Sequence, residues 1–304
     1  MSTRPPRISI GLPVFNGERY LDQTLQSILA QDYGDFEVIV SDNASTDETV
    51  KIVERWAKKD SRIKLFRNSE NLGGAANFNK VLALAEGDLF RWAGHDDLMA
   101  PGMLRRCIDT FDAEGPDCVL VFPQTVEIDA EGREISLVGT HLDLPQTSPV
   151  ERYYRVARFV GKANVLFGLM RTRALRSTRG LGSFPSADLV LIGELSLRGR
   201  FRQVDEPLFF RRVHPDASWH ATGKYEGFAE WFDPHQPKKL VFPSWRLLRE
   251  FTWAPWLSDL SLGERAKASV VGGFTWLRRK RLRLFGEIGR VPSALRASRR
   301  REER

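Results

Sequence analysis

Two adjacent carboxylates, Asp96-Asp97, follow the short apolar run Leu89–Trp92. Side by side they repel each other unless positive charge stands between or beside them. A divalent cation holding a diphosphate meets that need, because Mg2+ takes one or two protein carboxylates and completes its sphere with phosphate oxygens and water. The plainer reading is a solvated turn ahead of the helix expected after Pro101. A second cluster is Asp42-Asn43-Ala44-Ser45-Thr46-Asp47. Asp42 stands at the end of an apolar run, where it can accept a hydrogen bond from a base N–H or a ribose hydroxyl. Ser45 or Thr46 reads as the cap of the next helix, and Asp47 as an acid favoured in its first turn.

The surrounding pattern says what must position these residues. Ile8–Val14, Phe36–Val40, Arg62–Phe66 and Leu89–Trp92 read as strands. Glu18–Ala30, Thr46–Lys58 and Ala75–Ala85 carry apolar residues at helical spacing. Strands alternating with helices of this length imply a parallel sheet. In such sheets ligands sit beyond the carboxyl ends of the strands. Phe15-Asn16, Asp42-Asn43 and His95-Asp96-Asp97 all fall at those ends, so topology alone gathers three loops on one edge. Further on, Cys118–Phe122 and Val165–Met170 read as strands, with a hairpin around Asp129–Gly132. Asp188–Arg198 reads as a helix, and Phe201–Val204 and Pro207–Arg212 as strands.

Composition sets the limits. The chain has 304 residues, 42% hydrophobic and 28% charged, which is an ordinary globular balance. Two cysteines, Cys107 and Cys118, exclude a disulfide scaffold and a four-cysteine zinc site. There is no Gly-x-Gly-x-x-Gly after the first strand and no phosphate-loop lysine motif, which argues against a dinucleotide-binding domain and an ATPase. Trp276–Arg304 carries eleven of the 46 basic residues against three of the 39 acids. With a net charge of +7 overall, residues 1–275 therefore sum to about −1, too little for a broad nucleic-acid face. Met1–Arg7 lacks the apolar stretch of a signal peptide and no run of about 18 apolar residues occurs, so the expected location is cytoplasmic.

Four motifs then carry a resemblance. Pro13-Val14-Phe15-Asn16 with Glu18, Asp42 through Asp47, Asn71-Leu72-Gly73, and Trp92-Ala93-Gly94-His95-Asp96-Asp97 together resemble the family 2 glycosyltransferases, over about residues 7–215. The resemblance implies a GT-A fold: an α/β, Rossmann-like, mainly parallel mixed sheet flanked by helices. It implies a nucleotide-diphosphate sugar donor, Mg2+ or Mn2+, and an inverting reaction. The nucleotide-binding half would span about 7–97 and the acceptor half about 98–218. Pro13, Phe15, Asn16, Glu18, Asp42 and Asn43 would hold the nucleoside, with Asp96 nearer the ribose or sugar and Asp97 the metal ligand. Asp188, where the family's base opens a helix, would deprotonate the acceptor, and burial against Leu189–Ile192 would raise its pKa. The competing readings are a helix N-cap for Asp188, and Glu194 as base or as a helix-surface charge. Arg211 or Arg212 would neutralise the leaving diphosphate, as in phosphate clamps generally, and His214 would bind metal or phosphate. Three residues depart from the family pattern. Gly94 and His95 stand where its first acid is often found, and Phe78 replaces an arginine, leaving Lys80 or Arg91 as the substitute cation.

Rival readings are a sugar-phosphate nucleotidylyltransferase, a degenerate glycosyltransferase, and a non-catalytic nucleotide- or membrane-binding module. Residues 219–304 read as a helical, Trp-rich, basic extension. Trp245–Leu257 and Ser269–Leu284 fit either an interfacial helix on anionic lipid or a helix packed on the body. The expected partners are the donor, a glycan or lipid-linked acceptor in envelope or polysaccharide synthesis, and peripheral contact with an anionic membrane through the tail. Nucleic acid is not expected.

Overall fold

A computed structural model describes residues 4–215, 231–232 and 242–289. Strands β1 (Ile8–Val14) and β2 (Phe36–Asp42) are buried along their whole length, as continuous apolar runs in a covered parallel sheet must be. Between them lies α1 (Leu21–Leu29), which buries Leu21, Thr24, Leu25 and Ile28 at helical spacing. Then follow α2 (Thr49–Ala57), β3 (Ile63–Arg67), α3 (Gly74–Leu84) and β4 (Leu89–Trp92). The four strands run parallel in the order β3-β2-β1-β4. Chain direction across the sheet reverses at β1, so β1 and β4 flank the point where such a sheet opens a crevice for ligands.

The second half extends the same sheet. It comprises β5 (Leu98–Met99), α4 (Met103–Glu114), β6 (Cys118–Ile128), β7 (Glu134–Val138), α5 (Pro149–Phe159), a 3-10 turn (Asn164–Phe167), β8 (Leu169–Arg171), α6 (Thr172–Arg176), α7 (Ala187–Arg198) and β9 (Arg200–Arg212). β8 lies antiparallel between β4 and β6, and β6 pairs with β9 in parallel. β5 decides the site. It begins directly after Asp97 and pairs antiparallel with β9, Leu98 against Phe210 and Met99 against Phe209. This two-residue ladder sets the end of β9 beside the paired acids.

The core has two sides. Ile8, Ile10, Leu12 and Val14 of β1 face α1 and α4. On the opposite side a Cβ on Gly11 would come within 2.7 Å of Phe90 and Val81. Only a glycine lets α3 lie that close to β1.

The C-terminal helices belong to the same body. α8 (Pro243–Trp253), a 3-10 turn (Ala254–Leu257) and α9 (Leu262–Gly289) dock on α5 and α7. Tyr153 Oη donates to the Phe251 carbonyl at 2.6 Å. Phe251 stacks on Trp276 with centroids 4.8 Å apart, and Trp276 is 2% exposed. The packed-helix reading therefore describes the inner face of α9. The boundary expected near residue 218, His220, and the tail from Arg290 onward lie outside the described residues.

Three element expectations are corrected. Residues 165–170 form a 3-10 turn and then β8, because Gly168 carries the chain tight against β6, where a Cβ would meet the Val121 carbonyl at 2.4 Å. Residues 201–204 and 207–212 make one strand, β9, whose register against β6 shifts around Pro207 instead of breaking. Neither Ser45 nor Thr46 caps α2. The helix starts at Thr49, whose N–H is accepted by Asp47 Oδ1 at 3.0 Å.

Candidate active site

A cavity of about 830 Å3 opens at the carboxyl ends of β1 and β4. Its first wall is Pro13 at the end of β1 and the loop that follows, with Phe15, Asn16 and Glu18. Asn16 sits at φ 51°, a left-handed conformation that asparagine tolerates better than most residues. Its Oδ1 accepts from Thr46 N–H at 2.9 Å. Glu18 Oε2 accepts from Glu48 N–H at 2.9 Å, and Glu18 N–H donates to Asp47 Oδ2 at 3.0 Å. These side chains thus stitch the β1 loop to the turn after β2. Asn43 also lines the cavity, its Nδ2 donating to Asn71 Oδ1 at 2.7 Å and its Oδ1 accepting from Leu72 N–H at 3.0 Å. Asp42 does not line the cavity. It is still inside the sheet, in register with Val14 and Arg67, and 1% exposed. Its carboxylate faces Ser45 N–H at 3.3–3.4 Å.

The paired acids form the floor. Asp97 Oδ1 accepts from Arg212 N–H at 2.9 Å, and Asp96 Oδ2 lies 3.0 Å from His214 Nε2. Burial and the neighbouring Asp96 charge push the Asp97 carboxyl up to about 7, against the pull of Arg211, the Arg212 N–H and Arg91. Burial works the same way on Asp96, but His95 and the hydrogen bond to His214 hold it below its ordinary value. A Cβ on Gly94 would meet Asp97 Oδ2 at 2.6 Å and Asp96 Oδ1 at 2.8 Å. Both carboxylates therefore converge over a residue that must lack a side chain. Two buried polar atoms near them have no hydrogen-bond partner among the described residues, Tyr20 Oη and His214 Nδ1, on rings whose centroids are 4.8 Å apart.

The far wall comes from the second half. Asp188 and Arg211 line it. Ser186, at φ 65°, is the N-cap of α7, which puts Asp188 in the first turn and excludes the N-cap reading for it. Asp188 Oδ1 accepts from Leu189 N–H at 2.9 Å. Burial raises its pKa, opposed by the Leu189 N–H and by Arg211. Arg211 Nη1 donates to Asn164 Oδ1 at 2.5 Å. Arg212, by contrast, is a buried clip, bonded to the carbonyls of Asp96, Asp129 and Ala130 and to Gln23. Glu194 is no surface charge. It is 2% exposed and paired with Arg179 at 2.6 Å. Neither proposed substitute cation reaches the cavity lining, since Arg91 is wholly buried in β4 and Lys80 bonds Asn68.

Sequence reasoning missed the aromatic part of the cavity, where Phe78, Trp92, Phe167, Trp231 and Phe232 line one side. Phe78 packs against Trp92 and Trp231, both with centroids at 6.1 Å. The position of Trp92, two residues before Gly94, was the one available signal. It missed Tyr20 as well, two residues beyond Glu18.

The profile described as "Glycosyl transferase family 2" matches residues 9–177, more than half the chain. This chain belongs to glycosyl transferase family 2. Among curated members, it is 37% identical over 100 residues to the GalNAc(5)-diNAcBac-PP-undecaprenol beta-1,3-glucosyltransferase of Campylobacter jejuni, covering 33% of this chain and 32% of that protein. The alignments span about half or less of the length of the curated relatives matched first. Among solved structures, S. aureus TarS 1-349 in complex with UDP-GlcNAc has a TM-score of 0.65 at 16% identity, covering 93% of this chain and 80% of that one. Mannosyltransferase PcManGT from Pyrobaculum calidifontis, in complex with GDP-Man and Mn2+, has a TM-score of 0.58 at 17% identity, covering 97% and 76%. At these identities the likeness is one of fold, and it confirms the GT-A-like architecture expected from the sequence.

Family 2 membership raises the question of a divalent cation. Among the described residues no three side chains of metal-ligating type meet in one place. The residues present nonetheless fit an ion of the Mg2+ or Mn2+ kind. Two carboxylates converge with no ion pair from a lysine or arginine among the described residues, and hard oxygen donors suit such ions, which need only one or two of them from protein when a diphosphate supplies the rest. His214 is already bonded to Asp96, so it enters such a site through that carboxylate.

Proposed function

We propose that this chain is an inverting glycosyltransferase that moves a sugar from a nucleotide-diphosphate donor to an acceptor hydroxyl. The observation that carries this reading is the placing of Asp97, Asp188 and Arg211 around one cavity at the sheet's switch point. Asp188, desolvated and with its pKa raised, takes the proton from the acceptor hydroxyl. The oxygen attacks the anomeric carbon as the bond to the diphosphate breaks, and that electron pair leaves on the phosphate oxygen. Arg211 sits where it can meet the leaving charge, with Asn164 fixing its guanidinium. Asp97, with Asp96 and His214 behind it, would hold Mg2+ or Mn2+. When bound, such an ion offsets negative charge on the diphosphate. Pro13, Phe15, Asn16, Glu18 and Asn43 form the nucleoside end of the cavity, with Asp96 nearer the ribose. Asp42 supports that wall from inside the sheet.

The acceptor in this reading is a glycan or a lipid-linked sugar of the cell envelope, a choice supported by the undecaprenol-linked substrate in the name of the Campylobacter relative. The test is nucleoside diphosphate release from a panel of nucleotide sugars, with the anomeric configuration of the product read by NMR. Retention of configuration, or full turnover by Asp188→Asn, would overturn the assignment.

A further inference from the structure

α9 has a second face that no other element among the described residues covers. Val270 is 71% exposed, Phe274 58%, Leu277 41% and Phe285 69%. Their positions, with Arg281 between the last two, advance by four, three, four and four residues, so they form one stripe along the helix. Leu282, 81% exposed, lies at its margin. Trp245 and Trp256 of the preceding segment extend this surface sideways. Each is 39% exposed, and they bond the Leu284 carbonyl and Ser269 Oγ of α9.

The helix that bears the stripe is also strongly basic. Between Arg265 and Gly286 the sequence holds seven lysines and arginines and no acid. Arg281 lies on the stripe, Arg278 beside it, and the exposed Arg283 on the side of Trp276. Among the described residues these three form no ion pair, whereas Arg265 and Arg279 bond the carbonyls of Leu260, Ala157 and Val160. Large exposed apolar patches mark interaction sites, and the charge selects the partner. A second copy meeting this face by two-fold symmetry would set these arginines against themselves in a desolvated interface. A nucleic acid would satisfy the arginines and could stack a base on a ring, but it would leave the aliphatic Val270, Leu277 and Leu282 without an apolar partner. An anionic bilayer surface meets both demands, with phosphate for the guanidinium groups and acyl chains for the rings. No helix among the described residues is long and apolar enough to cross a membrane, so contact would be from the side.

We propose that the outer face of α9, with Trp245 and Trp256, is a docking surface for anionic lipid. This does not depend on the transferase assignment. The test is flotation of the full chain with phosphatidylglycerol–phosphatidylcholine vesicles and with phosphatidylcholine alone. Phe274→Ser/Leu282→Ser/Phe285→Ser is the apolar variant and Arg278→Gln/Arg281→Gln/Arg283→Gln the basic one. Leu282→Ser alone is the fallback if the triple variant misfolds by circular dichroism. The expected result is binding to the anionic vesicles that each triple variant weakens at least tenfold, with little binding to the neutral ones. Four outcomes would overturn the proposal: no binding by the parent chain; equal binding to both vesicles; undiminished binding by the apolar variant, which would assign attachment to charge alone; or a parent dimer in sedimentation velocity that the apolar variant turns into monomer.

Discussion

Arg179 joins the helix that carries Asp188 to the C-terminal helices, and removing it gives a prediction with a magnitude. Arg179 Nε donates to Glu194 Oε1 at 2.6 Å, and Nη1 donates to Glu250 Oε2 at 2.7 Å. Glu194 is 2% exposed and Glu250 5%. In Arg179→Met, Glu250 keeps Arg249 at 2.8 Å, but the Glu194 carboxylate keeps, among the described residues, one hydrogen bond, from the backbone N–H of residue 179 at 3.0 Å, with Arg198 acting on it by charge alone. Stranding a buried charge costs about 3–5 kcal/mol. The Arg179 side chain is 39% exposed, so water screens part of the pair, and the expected loss is about 2–3 kcal/mol. At about 2–4 °C per kcal/mol for a large domain, Tm should fall by about 4–12 °C in calorimetry. Burial opposes ionisation of Glu250, yet Arg249 and Arg179 hold its pKa below the ordinary value. A depressed carboxylate contributes stability above its unfolded pKa and loses it as pH falls through the folded one. The gap between parent and variant should therefore narrow on acidification through the carboxylate range. Adding Glu194→Gln removes the stranded charge and should recover part of the loss. A double variant as unstable as Arg179→Met, or a gap unchanged by acid, would refute the reasoning.

Other predictions concern the site and the core. Asp188→Asn should lower transfer by about 10²–10⁴-fold with donor binding retained, whereas Glu194→Gln should leave the rate within about twofold. Because the Asp188 pKa is raised by burial, its ionised form is lost at a higher pH than for an exposed aspartate. The acid limb of the kcat/KM profile should therefore lie above the ordinary carboxylate range and vanish in the residual activity of Asp188→Asn. Gly94→Ala places a Cβ 2.6 and 2.8 Å from the two carboxylates. It should weaken cation-dependent nucleotide binding at least tenfold in calorimetric titration while Tm changes little. Trp276→Ala empties a buried site stacked on Phe251 and should cost about 3–5 kcal/mol in denaturant unfolding.

The sequence was most legible where one periodicity dominates. β1 and β4 fall on the expected residues, Ile8–Val14 and Leu89–Trp92, and α7 begins one residue before the expected start. These are apolar runs closed by sharp polar punctuation. α5 was overlooked because two of its four buried positions are Arg152 and Tyr153. Arg152 spends its guanidinium on the carbonyls of Ser196, Gln146 and Thr147, so a charged residue fills a core position. β5 escaped for another reason: a two-residue strand has no period, and its partner lies more than a hundred residues away.

The site divides along the same line. Asp96, Asp97, Asp188, Arg211 and the β1 loop meet in one cavity because they punctuate strands and helices at one sheet edge. Asp42 drew attention by the same rule but ends its strand one step too early, inside the ladder. The aromatic wall was legible only through Trp92, close before Gly94. Phe78, Trp92 and the pair Trp231-Phe232 come from three separate parts of the chain, and no spacing pattern links them.

Central to the proposed function is that Asp97 and Asp96 hold a nucleoside diphosphate through a divalent ion in this cavity. The most direct test is a thermal shift with UDP, GDP, dTDP and CDP, each with and without Mn2+, on the parent chain and on Asp97→Asn. A ligand that binds only the folded state raises stability by about RT ln(1 + [L]/Kd), so even weak binding is visible. The account predicts a shift with one diphosphate that needs Mn2+ and disappears in Asp97→Asn. No shift with any diphosphate, or the same Mn2+-dependent shift in the variant, would contradict it.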